Sequence, residues 1–472
     1  MSSNTKNSRR ILGVFTLAMI NVAAIVSLRN LSIVVQYGFA SVFYYLLGAI
    51  IFFLPTAFVC AELATTWPKA GGLYSWVSEA FGKRTGFFAV WISWMLSISW
   101  FPAVLTFSAA AIAYVVNPAL SQDKIFMLGI MLGIFWIATI INFFGMRVSG
   151  WVSLLGAILG TLLPGVLIIG LGALWIGLGK EIKIEVSLSA FIPEFKITNM
   201  VLFIGLLFSL SGMELSAFHA REAKNPQRDY PRAIFMATIL IMLISIFGSL
   251  AIAFVVSQKD ASLFAGLMQA FTEFFTAFGV KGIVPWLALL ATIGSLAGIN
   301  TWILGPAKGI LTSAEEGYLP GWMHYKNKKD MPVATLLVQA VVGSILSGVF
   351  YFMPDVESAF WIITALTVQF AMIMYALIFS AAIRLRYSQR HVPRPYKIPG
   401  GQLGIWVIGG LGFCTSVLAF GMAFIPPAQL HTGAIFFYDA YLIFGLVFLG
   451  LPPVILCWIK KPEWALQPQP II

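Results

Sequence analysis

Charge is what this chain has least of. Only 10 % of its 472 residues are Asp, Glu, Lys or Arg, against about 25 % in soluble domains. A single soluble core cannot absorb the apolar surface of a chain that is 60 % hydrophobic. Cysteine and histidine are scarce as well. Cys60, Cys414 and Cys457 all stand inside apolar runs, with neither a disulfide framework nor metal-ligand spacing, and packed thiols are expected. His219, His324, His391 and His431 fall in or beside loops and form no pair with a nucleophile and no metal set. The chain therefore offers no basis for an enzyme, a metal centre or a cofactor. It has no phosphate-binding loop, so nucleotide-driven pumping is not expected. It also lacks the apolar-polar alternation of a membrane barrel strand.

What is present is a series of long apolar runs between short polar loops, the pattern of a helical protein that crosses a membrane many times. About twelve runs reach spanning length, near 11–36, 40–64, 86–116, 125–143, 150–178, 198–219, 232–256, 283–311, 333–353, 358–384, 403–425 and 436–459. The basic N-terminus, MSSNTKNSRR, leads into the first run without a small-residue cleavage site, so it reads as a first span and not a cleaved signal. The net charge is +11. Lys6, Arg9, Arg10, Lys69, Lys83, Arg84, Arg147, Arg221, Lys224, Arg228, Arg232, Lys326, Lys328, Lys329, Arg384, Arg386, Arg390, Arg394, Lys397, Lys460 and Lys461 fall on one side of the alternating loops. Lys124, Lys180 and Lys259 fall on the other. Such asymmetry marks the cytoplasmic face and places both termini there. The basic excess thus addresses a lipid bilayer, not nucleic acid.

Two loop segments carry helical spacing. PKAGGLYSWVSEAFGKR, residues 68–84, is expected along the cytoplasmic surface, and SLFAGLMQAFTEFFTAF, residues 262–278, as an amphipathic helix on the outer face.

Two spans are interrupted by polar residues at mid-depth. The sixth reads GLLFSLSGMELSAFH over 205–219, with Ser209, Ser211, Gly212 and Glu214 in an otherwise oily segment. Irregular backbone within a membrane survives only where it lines a cavity. A break there turns free N–H and C=O groups toward whatever fills that cavity, and these suit the two ends of a zwitterion. Glu214 would brace or cap the break, or bind a proton or a substrate amine. The first span, MINVAAIVSLRNLSIVVQYG, carries Asn21, Ser27, Arg29, Asn30 and Ser32. Arg29 lies too deep to reach the surface and must meet an anion: Glu214, Asp439 or the substrate. Its place just past the presumed break favours an internal pair. Interrupted first and sixth spans, five helices apart, are the sign of an inverted five-plus-five repeat: 11–178 and 198–384, followed by two further helices over 403–459, in one transmembrane domain of 1–472.

Four stretches then resemble the amino acid–polyamine–organocation superfamily. They are AELATTWPKAGGLYSWVSEAFG, SGMELSAFHAREAKNPQRDYPRAI, GINTWILGPAKGILTSAEEGYLPGWM and HVPRPYKIPGG. Within it, the sixth-span loop, TWILGPAKG and the FIPP turn at 424–427 resemble the bacterial glutamate/γ-aminobutyrate antiporters. Departures are VAAIVSL in place of a glycine-rich first break, Ser32 in place of a proline, and a short tail without the folded plug of the enteric acid-resistance antiporter.

The resemblance implies an all-α, leucine-transporter-like fold and secondary amino acid transport in the bacterial inner membrane, by a monomer or homodimer. Exchange is the expected mode, with proton symport and a substrate-gated channel or sensor as alternatives. It further implies a substrate site from Ala24, Ile25, Val26, Ser27, Phe208, Ser209, Ser211, Gly212, Glu214, Trp302 and Tyr375. Phe208 falls on an aromatic gate before the sixth-span break. Trp302 falls on a tryptophan lining the inner side of the site, and Tyr375 on a tyrosine near it. At 100° per residue Gln369 points well away from Tyr375, so the two cannot share one small site.

Overall fold

The computed structural model describes residues 13–67, 72–145, 155–156, 158–193, 200–214, 225–329, 331–428 and 435–464. Every regular element among them is helical. Two short helices, α1 (Val14–Ile25) and α2 (Asn30–Ile33), open the chain. They are followed by α3 (Ala40–Thr66), α4 (Leu73–Phe81), α5 (Lys83–Val116), α6 (Lys124–Phe143) and α7 (Ile158–Gly177). Next come α8 (Leu202–Ser209), α9 (Pro226–Val255), α10 (Gly266–Ala277), α11 (Val284–Glu315) and α12 (Val333–Phe352). The last three are α13 (Val356–Ser388), α14 (Gly401–Met422) and α15 (Ile435–Trp458). Ten helices among the described residues are long and apolar enough to cross a membrane. Ten of the expected spans coincide with these helices, the fifth and seventh with their starts displaced, while the first and sixth are interrupted within the described residues.

Burial separates inner from outer helices. In α5 and α13, 89 % and 83 % of the apolar window is buried, against 22 % in α15. Helices apolar on every side are either core or lipid-facing. α5 and α13 are core, while α15 turns Phe436, Phe444, Phe448 and Trp458 outward. α5 packs along both α11 and α13. Its interior Pro102 removes one backbone donor, and the Thr106 hydroxyl bonds back to the Pro102 carbonyl at 2.8 Å. α7 crosses α11 with no side chain between them. A Cβ on Gly160 would lie 2.1 Å from the Gly294 nitrogen. Small residues allow such close approach where lipid supplies no hydrophobic drive between helices.

The two loop helices form as expected: α4 within 72–81, with residues 68–71 outside the described set, and α10 within 262–278. One expectation fails. Cys414 is exposed on the outer flank of α14, unlike buried Cys60, because α14 packs on only one side.

Candidate functional site

The first break begins where α1 stops. Val26 turns extended (ψ 115°), Leu28 and Arg29 make a turn, and the chain resumes as α2. α8 stops at Ser209, and Gly212 takes φ 123°, a conformation that disfavours any side chain. Met213 and Glu214 follow in a short helical turn. The second half of this span, at 215–224 with His219, lies outside the described residues. The helix that follows the first break lies against the helix that precedes the second. A Cβ on Gly205 would sit 3.1 Å from Ile33 and 3.4 Å from Trp361, so the glycine lets α8 lie directly on α2 and α13.

Tyr375 and Glu214 meet at the α8 break, in a role the sequence left open. The Tyr375 hydroxyl accepts from the Gly212 N–H at 2.7 Å and donates to Glu214 Oε2 at 2.5 Å. Both side chains are buried. One hydroxyl thus satisfies a backbone group freed by the break and a carboxylate that water does not reach. Ser209 and Ser211 donate to the carbonyls of Leu206 and Leu207, at 2.7 and 3.4 Å, closing the last turn of α8.

Arg29 is only 1 % exposed, and no ion pair reaches it among the described residues. Neither expected partner, Glu214 nor Asp439, forms an internal pair with it. Glu214 is held by Tyr375, and Asp439 makes no bridge to Arg29. The guanidinium lies within cation–π range of Trp100 and Phe360, with its carbon 6.0 and 5.8 Å from their centroids. Nη2 donates to Asn30 Oδ1 at 2.9 Å. Nε and Nη1 have no acceptor. Trp100 in turn meets Trp302, centroids 5.5 Å apart, which joins a predicted site residue to Arg29 through one ring. Trp100 and Phe360 were missed from the sequence. Aromatics are 15 % of the chain, and nothing local sets these two apart.

Ile25 and Val26 are buried, whereas Ser27, Asn30, Trp100, Phe208, Ser211 and Trp302 are half-buried. The side chain of Ala24 lies outside the described residues. Half-burial of Trp100 is informative, because its neighbours Ile98, Ser99, Phe101 and Pro102 on α5 are all buried. Phe208 likewise stands between buried Leu207 and Ser209. Gln369 is buried.

Above the breaks, α10 and α9 pin α2. The Leu267 N–H donates to Ser32 Oγ at 3.1 Å, Gln36 donates to the Ala261 carbonyl at 3.2 Å, and Ser249 donates to the Leu31 carbonyl at 2.9 Å. Ser32, where related first spans carry proline, is thus an acceptor that proline could not supply.

No group of histidine, cysteine and acidic residues able to hold a metal occurs among the described residues. His324 bonds the Ala314 carbonyl at 2.7 Å, His391 is exposed, and His431 lies outside the described residues.

Comparison with known proteins agrees with this architecture. A family model described as amino acid permease matches residues 12–449. An uncharacterised transporter of Legionella pneumophila is 43 % identical over 448 residues, covering 95 % of this chain and 96 % of its own. A glutamate/γ-aminobutyrate antiporter of Lactococcus lactis is 31 % identical over 421 residues, covering 88 % and 84 %. An aspartate/glutamate permease of the same species is 23 % identical over 417 residues, covering 83 % of each chain. With two broken apolar helices laid against each other and a family match across nearly its whole length, the chain belongs to the amino acid permeases.

Proposed function

We propose that this permease is an amino acid exchanger of the glutamate/γ-aminobutyrate type in the bacterial inner membrane. Twelve spans place both termini in the cytoplasm. The ten long helices and the two broken ones form an inverted five-plus-five repeat with two helices added. The observation that carries the reading is a pair of interrupted spans whose helices α2 and α8 touch at Ile33 and Gly205, with half-buried polar and aromatic groups at the interruptions. A transporter needs a binding site at mid-membrane that opens to each side in turn, and discontinuous helices supply the free backbone groups such a site uses. The relative named as a glutamate/γ-aminobutyrate antiporter supports the substrate class.

In this reading Ala24, Ile25, Val26, Ser27, Ser209, Ser211 and Gly212 contribute mainly backbone to the site, while Phe208 and Trp302 close over the substrate. Glu214 and Tyr375 hold the α8 break in shape. The test is counterflow in proteoliposomes. Labelled glutamate or γ-aminobutyrate should enter only when an internal amino acid can leave. Uptake without internal substrate would identify a channel or symporter instead.

A further inference from the structure

We propose that Arg29 is the specificity residue of this site, and that it reads the carboxylate which glutamate and γ-aminobutyrate have in common. The inference rests on the exchanger reading. Removing the α-carboxyl group of glutamate gives γ-aminobutyrate. The amine and the distal carboxylate survive that change, and only the α-carboxylate is lost. A single site that exchanges one for the other must recognise the shared groups and tolerate the presence or absence of the third.

Arg29 has the chemistry for the shared anion. Its guanidinium is a planar fork of donors that matches a carboxylate. It is wholly inside the protein at the base of α2, just past the break. A buried guanidinium needs an anion, and no carboxylate of the described chain provides one. Asn30 takes one donor, and the rings of Trp100 and Phe360 lie within cation–π range. Nε and Nη1 are left as the edge whose N–H groups have no acceptor among the described residues. That edge is the part of a guanidinium that grips a carboxylate. Trp100, half-buried between buried neighbours, links this edge to Trp302 and so to the proposed substrate chamber.

Glutamate and γ-aminobutyrate should compete in wild-type counterflow on the order of 100-fold better than glutamine and 4-aminobutanamide, since an amide cannot supply the anion the donors require. Arg29→Lys should keep that preference with about tenfold weaker binding, because the charge stays and the planar edge is lost. Arg29→Gln should abolish the preference, leaving acids and amides alike. The same ligands are added to purified full-length protein and its melting temperature is read, which measures binding without transport. Stabilisation by the acids but not the amides, with no exchange, sinks the exchanger reading alone. Exchange in which acids and amides compete equally sinks the role of Arg29 alone. An unchanged acid preference in Arg29→Gln also overturns it. So does uptake that depends on chloride or phosphate while ignoring the distal carboxylate, since an inorganic anion would then occupy Arg29. Should Arg29→Gln not accumulate, the wild-type amide comparison and Arg29→Lys still decide.

Discussion

Glu62 and Arg386 form a bidentate pair buried at the end of α3. Nε donates to Oε1 and Nη2 to Oε2, each at 2.5 Å, and both side chains are only 4 % exposed. Arg394 adds a contact to Oε1 at 3.2 Å, and the Ile398 N–H donates to Oε2 at 2.8 Å. Arg386 also donates to the carbonyls of Gly401 and Ile398. One carboxylate thus ties α3, the end of α13 and the loop HVPRPYKIPGG into a clasp on the basic side of the protein.

Glu62→Gln removes the anion and leaves two buried guanidinium groups around a neutral amide. Breaking one side of a buried pair costs about 3–5 kcal/mol. The detergent-solubilised protein should melt at a clearly lower temperature and accumulate less. Glu62→Gln combined with Arg386→Met should recover part of the loss, because no cation is then stranded on α13. An unchanged melting temperature in Glu62→Gln would show that the clasp contributes nothing to the fold.

Tyr375→Phe deletes the one oxygen that bonds both the Gly212 N–H and the Glu214 carboxylate, and leaves both less well satisfied. Each buried group left unpaired costs about 1–3 kcal/mol. Exchange should fall well below wild type, measured as initial counterflow rate at matched protein. Tyr375→Phe with normal rates would remove the hydroxyl from the support of the break.

Gly212→Ala forces a side chain onto φ 123°. Strained backbone of this kind costs of order 1–3 kcal/mol. The break should shift to relieve it, with loss of exchange exceeding loss of folding. Gly160→Leu should do the reverse and fail to fold, since its side chain would meet the α11 backbone at Gly294. Size-exclusion profiles and uptake, read together, separate the two outcomes.

Trp302→Ala and Phe208→Ala should fold, because both side chains are half-buried, yet lose transport by roughly tenfold or more. An aromatic face that covers a ligand is worth about 1.5–3 kcal/mol of burial. In Trp302→Ala, Trp100 also loses its ring partner, so this variant should be the weaker of the two. Wild-type uptake in both would exclude them from the gate.

Much of the fold was legible because its signals are local. Apolar runs of spanning length, basic loops on one side, and polar residues interrupting two runs require no knowledge of neighbours. Ser-Leu-Ser-Gly at 209–212 breaks α8 where it stands in the sequence, and the backbone there needs the glycine it has. The break at Val26 and Ser27 came without any glycine, and the polar cluster around it was signal enough.

What the sequence alone determined, then, is where helices run, where they stop, and that Arg29 and Glu214 cannot stand unaccompanied in an apolar interior. Tertiary structure decided whom they meet. Glu214 takes a hydrogen bond from Tyr375, 161 positions away, and Glu62 pairs with Arg386, 324 positions away. Arg29, expected to find a carboxylate in the chain, finds two aromatic rings and an asparagine instead. Desolvation makes each buried charge demand a partner wherever it lies. Only the packing of α5, α8 and α13 around the breaks fixes which groups come within a hydrogen bond's reach of it.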